Sequence, residues 1–550
     1  MQRRKFLEYA AASGLGLLGI RYLYGYRANS QNDFMGAATA ARNAPRHTPL
    51  LIPGKSGPLG ILDMSEAPLT LNARPTTMPL LQNEQSPFLI YEALYGTKAY
   101  QNPTIRIKRG KQFNARLQND LDEPTIVHWH GLHLPGVMDG HPRTTIPAGA
   151  HYDYAFKVTN RGGMYWYHTH AFNLTAKQAY AGLAGIFMVE DDDEEALRSA
   201  LQLEPGVTEL PLLIQDKQFN SGGELTYAGN PMQRTMMGQL GDTILVNLTP
   251  QPQLDISNRV YRFRILNGSN SRIYKLAFIH RGTALPYAII GTDAGFLDRP
   301  YTEREVFLAP AERVDILFDA SQLRAGDEVV LKSLAFDPME RDMMSGMSGM
   351  SGGMSGGGMG GMGGMGGMGG SSLALGAEFE IMKLAVTSGA RGAPVVPPGK
   401  LSTVARIDTR GAAVRNISLT MQRMRWLING ESFNMDSFPI QSRSNTVEVW
   451  DIENARMSMP HPMHMHGFSF QVVERRNSPS QVRQLSRDAN GRSATDLGWK
   501  DTILVWPGET VRIAIDFTND FKADQIYVFH CHNLEHEDQG MMVNHRVTTG

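Results

Sequence analysis

His530-Cys531-His532-Asn533-Leu534-Glu535-His536-Glu537-Asp538-Gln539-Gly540-Met541-Met542 is the stretch from which the rest of the chain can be read. Cys531 is the only cysteine in 550 residues, so it has no intramolecular disulfide partner. A histidine five residues on and a thioether ten residues on place it among the soft and borderline ligands that copper prefers. Two histidines, a cysteine and a weak axial methionine form a blue-copper electron-transfer set. One histidine of that set is missing here and must come from elsewhere in the chain. The preceding run, Gln525–Phe529, is β-branched and aromatic and reads as a strand. Alternate side chains of a strand point to opposite faces. Cys531 therefore points one way and His530 and His532 the other, so that one strand serves two metal sites.

Three further clusters repeat the pattern: His128-Trp129-His130, His168-Thr169-His170 and His461-Pro462-Met463-His464-Met465-His466. Every cluster contains a His-x-His, which sets two imidazoles on one face of a strand. His461 and Cys531 fall at the opposite parity to the pairs in their own strands. His461 thus supplies the missing ligand, and the blue site reads as His461, Cys531, His536 and Met541. The eight paired histidines are too many for one copper and suit a cluster of three. Between residues 200 and 400 only His280 occurs, so the middle of the chain is expected to bind none of these metals.

The chain also repeats itself. Pro147-Ala148-Gly149, Pro310-Ala311-Glu312 and Pro507-Gly508-Glu509 each lead into an alternating strand, and the prolines stand 163 and 197 residues apart. A Gly/Met/Ser-rich tract of 35 residues, 337–371, accounts for the difference. The expectation is an all-β chain of three Greek-key β-sandwiches: residues 41–195, residues 196–388 interrupted by the 337–371 insertion, a linker at 389–400, and residues 401–550. Regular strand patterns begin at Thr104-Ile105-Arg106-Ile107-Lys108. Only the acidic stretch from Asp192 to Leu203 departs from this pattern and reads as a short helix or linker.

Net charge is −1 and 42% of residues are hydrophobic, which favours neither nucleic acid nor an anionic membrane as partner. At the N-terminus, Arg3-Arg4-Lys5-Phe6-Leu7 precedes an apolar run, Ala10 to Ile20, too short to span a bilayer. Residues 1–40 read as a twin-arginine signal for the export machinery that carries folded proteins. The mature protein is expected to be periplasmic or otherwise exported, monomeric, and without stable membrane association.

Taken together, these motifs resemble the four copper signatures of the laccase-like three-domain multicopper oxidases, over essentially the whole mature chain. The resemblance implies three cupredoxin-like sandwiches and four copper ions. By motif position, His128 and His464 resemble the ligands of a type 2 copper. His130, His168, His170, His466, His530 and His532 resemble those of a type 3 pair, with His461, Cys531, His536 and Met541 at type 1. Asp139 and Glu537 match acidic positions that resemble the family's proton donors. The reaction implied is one-electron oxidation of a reductant coupled to four-electron reduction of O2 to water.

The methionines bear on the reductant. Within the Gly/Met tract, which composition marks as disordered, thioethers are soft ligands selecting Cu(I). Met457 and Met459 precede His461, and the tract opens with Met339, Asp342, Met343 and Met344. This resembles the periplasmic cuprous oxidases of bacterial copper tolerance, although Met457 stands where those enzymes place an aspartate. Cu(I) oxidation in copper detoxification is the expected role. The alternatives are a laccase-like oxidase of phenols or other metal ions, and a copper-sequestering binding protein.

Overall fold

The structure is a computed structural model that describes residues 47–64, 68–81, 84–95, 98–227, 231–340, 373–388 and 397–549. The expected signal segment 1–40, Asp342, Met343, Met344 and most of the Gly/Met tract lie outside the described residues. Six sheets pair into three sandwiches. In the first, a five-stranded sheet runs in the order Ile61–Met64, Thr104–Lys108, Ala184–Glu190, Gly163–Thr169 and Val127–His130. It packs on a second sheet that includes Leu69–Leu81, Gln112–Asn119 and His151–Lys157. The third sandwich repeats the first. Ile440–Arg443, Met542–Thr548, Gln525–Cys531, His461–Met465 and Thr502–Val505 lie side by side in that order.

Strand burial separates scaffold from site. Gln112–Asn119 alternates, with Phe113, Ala115 and Leu117 turned into the core. The four histidine-bearing strands are buried nearly throughout. One face of each fills its own sandwich and the other meets the neighbouring sandwich, which removes the polar alternation of a half-exposed strand. Three large apolar clusters, one per sandwich, hold the architecture. They are built around Trp129 and Phe113, Phe263 and Phe278, and Trp450 and Phe529.

Four expectations need correction. Residues 61–101 already form strands. Leu69–Leu81 and Glu84–Tyr95 make a long antiparallel ribbon, disguised in sequence by Pro75, Pro79 and Pro87. These prolines are accommodated because the outer neighbours pair with only part of the ribbon, Gln112–Asn119 over Leu69–Ala73 and Lys98–Gln101 over Glu92–Tyr95, leaving the outer side at Pro75, Pro79 and Pro87 free of ladder bonds. Residues 47–50 join the middle sandwich rather than the first. Leu50 donates its N–H to Gln253 O and packs in the middle core. The expected linker at 389–400 is described only from residue 397, and the chain from there to residue 412 forms no strand, bonding Asp298 of the middle sandwich through Leu401 N and Gln471 of the third through Ile407 N.

Helices are the fourth. Besides α2 (Asp192–Ala200), the chain forms α1 (Thr175–Ala181), α3 (Pro231–Met237) and α4 (Leu534–Asp538), with a single helical turn at Ser480–Arg483. The first turn of α2 is acidic, as favours a helix N-terminus, and Asp191 caps it by accepting from Glu194 N. Yet α2 is no solvated linker. Glu194 is fully buried against Arg262 and Arg264. In the middle sandwich Glu328–Ser333 and Phe379–Val386 pair antiparallel, so the Gly/Met tract belongs to a connection between adjacent strands. No helix among the described residues is long and apolar enough to cross a membrane.

Candidate metal centres

Cys531 ends its strand inside the third core. Its Sγ lies 3.5 Å from His461 Nδ1 and 3.7 Å from His536 Nδ1. His461 opens the neighbouring strand, and α4 presents His536. Met541 is buried in the same cluster as Cys531, and the backbone folds it back: Cys531 N donates to Met541 O, and Met541 N to His536 O. Gly540 makes this return possible. Its φ is +99°, and a Cβ there would meet Ser432 Oγ at 2.2 Å. Burial pushes the thiol pKa up and holds the His536 imidazole down at about 3, so both rings offer neutral lone pairs.

The outer edges of these two histidines are covered. Ser458 Oγ is 3.0 Å from His461 Nε2, and Met236 O, on α3, is 3.3 Å from His536 Nε2. The Trp426 ring stands 4.7 Å from that of His461 and 5.2 Å from that of His536, and its Nε1 donates to Thr235 O. Neither Trp426 nor α3 was legible as part of this site. Met232, Met236 and Met237, three methionines in six residues, were the available signal. Met459 is buried in the core while Met457 is 73% exposed, so the two expected Cu(I) ligands occupy different environments. Met339 is exposed at the edge of the described chain.

The eight paired histidines converge between the first and third sandwiches, all fully buried. Strand register builds the convergence, with His128 opposite His168 and His464 opposite His530. Across the domain boundary His128 stacks on His466 and His130 on His464, each at 3.7 Å. His130, His168 and His532 form one ligand group, and His170, His466 and His530 another; His128 and His464 close a third with His130.

Hydrogen bonding decides what these rings can hold. His128 Nδ1 is bonded by Asp139 O at 2.6 Å, His464 Nδ1 by Asp501 O at 2.8 Å and His168 Nδ1 by Thr169 O at 2.8 Å. A carbonyl only accepts, so each of these nitrogens carries the proton and the opposite nitrogen a lone pair. His128 Nε2 then faces His464 Nε2 at 3.4 Å, lone pair against lone pair. His168 Nε2, His130 Nδ1 and both nitrogens of His532 have no hydrogen-bond partner. Buried, facing lone pairs repel unless a cation lies between them, and metal-bound histidines characteristically donate their other N–H to a carbonyl or carboxylate. The residues therefore fit bound copper.

Three carboxylates complete the surroundings. Asp139 Oδ2 is 2.6 Å from His466 Nδ1, and burial raises its pKa well above the usual range. Glu537 Oε2 is 3.1 Å from His530 Nδ1, and its Oε1 is 3.6 Å from His170 Nε2. Burial alone would raise Glu537, but the imidazoles of His170 and His530 outweigh it and hold the group at about 2. Asp501, which sequence reasoning missed, lies 3.0 Å from His130 Nε2. Of the remaining histidines, His141 is buried against Asn544 and His545 against Ser442, His133 is half-buried against Gly467 O, and His151 is exposed.

Multicopper oxidase family profiles match residues 92–194 and 406–550, which hold all ten histidines and the cysteine of these groups. "Multicopper oxidase mco" of Staphylococcus aureus is 30% identical over 81% of this chain and 82% of its own length. A laccase of Bacillus stratosphericus is likewise 30% identical, over 80% and 88%. The crystal structure of McoA multicopper oxidase from Aquifex aeolicus superposes with a TM-score of 0.79 and 36% identity, covering 92% of this chain and all of that one. With three cupredoxin-like sandwiches, a cysteine–histidine centre and an interdomain histidine cluster, the chain belongs to the multicopper oxidases, copper-dependent oxidoreductases.

Proposed function

We propose that the protein is a cuprous oxidase, exported by the twin-arginine route and acting in copper detoxification, which oxidises Cu(I) to Cu(II) with O2 as acceptor. In this reading His461, Cys531, His536 and Met541 hold a type 1 copper, and His128 and His464 a type 2 copper. His130, His168 and His532 hold one ion of a type 3 pair, and His170, His466 and His530 the other. Bound copper supplies one-electron transfer at the first site and four-electron reduction of O2 to two waters at the cluster. Cys531 is the covalent link between them, one peptide unit from His530 and one from His532. Reduction of O2 to water consumes four protons, and Asp139 and Glu537 sit against His466 and His530 to pass them inward.

One observation carries the choice of Cu(I): both type 1 histidines are sealed beneath Trp426 and α3, in surroundings rich in thioethers. Four of the eight exposed large apolar residues among those described are methionines: Met232, Met339, Met424 and Met457. Met232 lies on α3 and Met424 on the turn before Trp426, while Met457 leads into His461. A roof of this kind obstructs a bulky phenol and offers soft sulfur to a small cation.

The likeness to a laccase favours phenols as the second reading. Steady-state O2 uptake with Cu(I), Fe(II), Mn(II) and a phenol in parallel, before and after deletion of residues 343–370, separates the two. A fall in Cu(I) turnover with unchanged or higher phenol turnover supports the proposal. Unaffected Cu(I) turnover removes its support, and absence of O2 uptake with any donor leaves copper sequestration.

A further inference from the structure

The middle sandwich contributes no histidine to the metal groups found among the described residues, yet one of its side chains reaches the cluster. Arg313 opens the strand Arg313–Asp319, directly after the proline turn that recurs in each repeat. At the equivalent positions the first repeat has Ala150 and the third Thr510, so the charge is peculiar to the middle copy.

The guanidinium is buried and bonded in every direction. Nη1 donates to Asp501 Oδ1 at 2.8 Å and Ala311 O at 2.9 Å. Nη2 donates to Asp501 Oδ2 at 2.5 Å and Asp293 O at 2.7 Å, and Nε donates to Met164 O at 3.1 Å. That set occupies all the donors an arginine has and ties the first, middle and third sandwiches at one point. A fork gripping both oxygens fixes a carboxylate in rotation as well as position.

What Asp501 holds is the cluster. Its Oδ1 accepts from His130 Nε2 at 3.0 Å, and its backbone O accepts from His464 Nδ1 at 2.8 Å. One carboxylate residue thus aims a ring from the first sandwich and a ring from the third. Gly131 leaves room for the arrangement: at φ +85°, its missing Cβ would fall 2.4 Å from Asp501 Oδ2 and 3.1 Å from Arg313 Nη2. Glu312 and Asp293 each lie 3.1 Å from Lys500 Nζ; Asp293 is shared with the Arg313 bonds, whereas Glu312 is bonded to neither Arg313 nor Asp501 through its side chain.

We infer that Arg313 is a positioning residue of the trinuclear centre, through which the middle sandwich sets the orientation of His130 and His464 by way of Asp501. The inference rests on the assignment of those two histidines as copper ligands. Loss of such an outer partner costs on the order of 10–100-fold in metal affinity or activity.

The test compares copper-loaded wild type with R313M, R313K and E312Q. It measures copper per chain, blue absorption, the paramagnetic signal of type 2 copper, and retention of cluster copper against a chelator. R313M is expected to keep the blue absorption while its cluster copper is stripped roughly 10–100-fold more readily and its type 2 signal shifts. R313K, which restores charge without the fork, should recover only part of this. E312Q removes the negative charge from the neighbouring Lys500 contact and should leave the type 2 signal as in wild type.

An unchanged type 2 signal and unchanged copper retention in R313M would overturn the inference, as would an equal loss in E312Q. If R313M fails to fold, R313K decides: a shifted type 2 signal supports the inference and a wild-type one ends it. A wild-type protein without a type 2 signal would instead defeat the copper assignment itself.

Discussion

Replacing Arg262 with methionine is the sharpest test of how the first and middle sandwiches are joined. Arg262 is fully buried. It donates to Glu194 at 2.6 and 3.0 Å, to Glu209 at 3.0 Å, and to Asp315 at 3.0 Å. Glu194 belongs to α2, at the end of the first sandwich, and the others to the middle one. Arg264 and Arg198 also touch this group, so three acids face three guanidinium groups. Methionine keeps much of the volume and removes one charge, leaving three buried carboxylates with two cations. Removing one partner from a buried ion pair costs ~3–5 kcal/mol, because the remaining charge has nowhere to go. For a unit the size of the middle sandwich, each kcal/mol lowers Tm by ~2–4 °C. The transition of that sandwich should therefore fall by ~6–20 °C in calorimetry. Adding E194Q in the R262M background should recover part of the loss, since it removes the uncompensated charge. A shift of R262M below ~2 °C, or a double variant weaker than R262M, would refute the reasoning.

The same network predicts acid lability. Burial alone would raise Glu209, but the guanidinium groups of Arg262, Arg198 and Arg264 outweigh it and hold the carboxyl at about 2; Glu194 is likewise held below its ordinary range. The folded form thus binds fewer protons than the unfolded one, and this stability is present above pH ~4.5 and lost as pH falls toward ~2. Melting temperature followed by circular dichroism should drop over that window, and less steeply in E209Q. Cys531→Ser should abolish the blue absorption and turnover while the eight paired histidines still bind copper; an intense blue band in that variant would overturn the Cys531 assignment. Trp426→Phe removes the Nε1 bond to Thr235 O, worth about 1 kcal/mol. That is about fivefold in the population of an open roof, so phenol kcat/KM should rise by about that factor with Cu(I) turnover little changed. Equal changes for both donors would show that α3 does not select.

The metal chemistry was legible because strand parity is a local rule. His-x-His, and Cys531 between His530 and His532, assign faces without knowledge of the fold, and the structure places His461 and His536 within 3.7 Å of the thiol. The repeated proline turns located three sandwiches for a similar reason, since each starts a strand of fixed pattern. What stayed hidden depends on long-range pairing. The ribbon 69–95 carries prolines that a sequence reader takes as breakers; they are harmless because the strands on either side of it each pair with only part of it. Glu194 reads as a solvated charge until Arg262 and Arg264, about seventy residues on, are folded against it. Asp501 and Arg313 lie 188 residues apart and belong to no short motif.

The middle sandwich therefore does more than space its neighbours. Toward the first it presents Arg262 and Arg264, which seat α2, and toward the cluster it presents Arg313, which seats Asp501. Both contacts are ionic and fully buried, so neither is favourable half-made: an undocked Glu194 or Asp501 would be solvated, whereas a docked one without its arginine would be a stranded charge. Docking of the three sandwiches is for that reason expected to be cooperative. His130 and His464 come from different sandwiches and meet through Asp501, so the cluster's geometry is completed only when the middle one is in place. A middle sandwich that adds no histidine to the metal groups found among the described residues is thus a condition for the binding of copper elsewhere. Chelator resistance of the cluster copper should then fall in R262M as the middle sandwich loosens, at temperatures where the blue centre, confined to the third sandwich, still holds its metal.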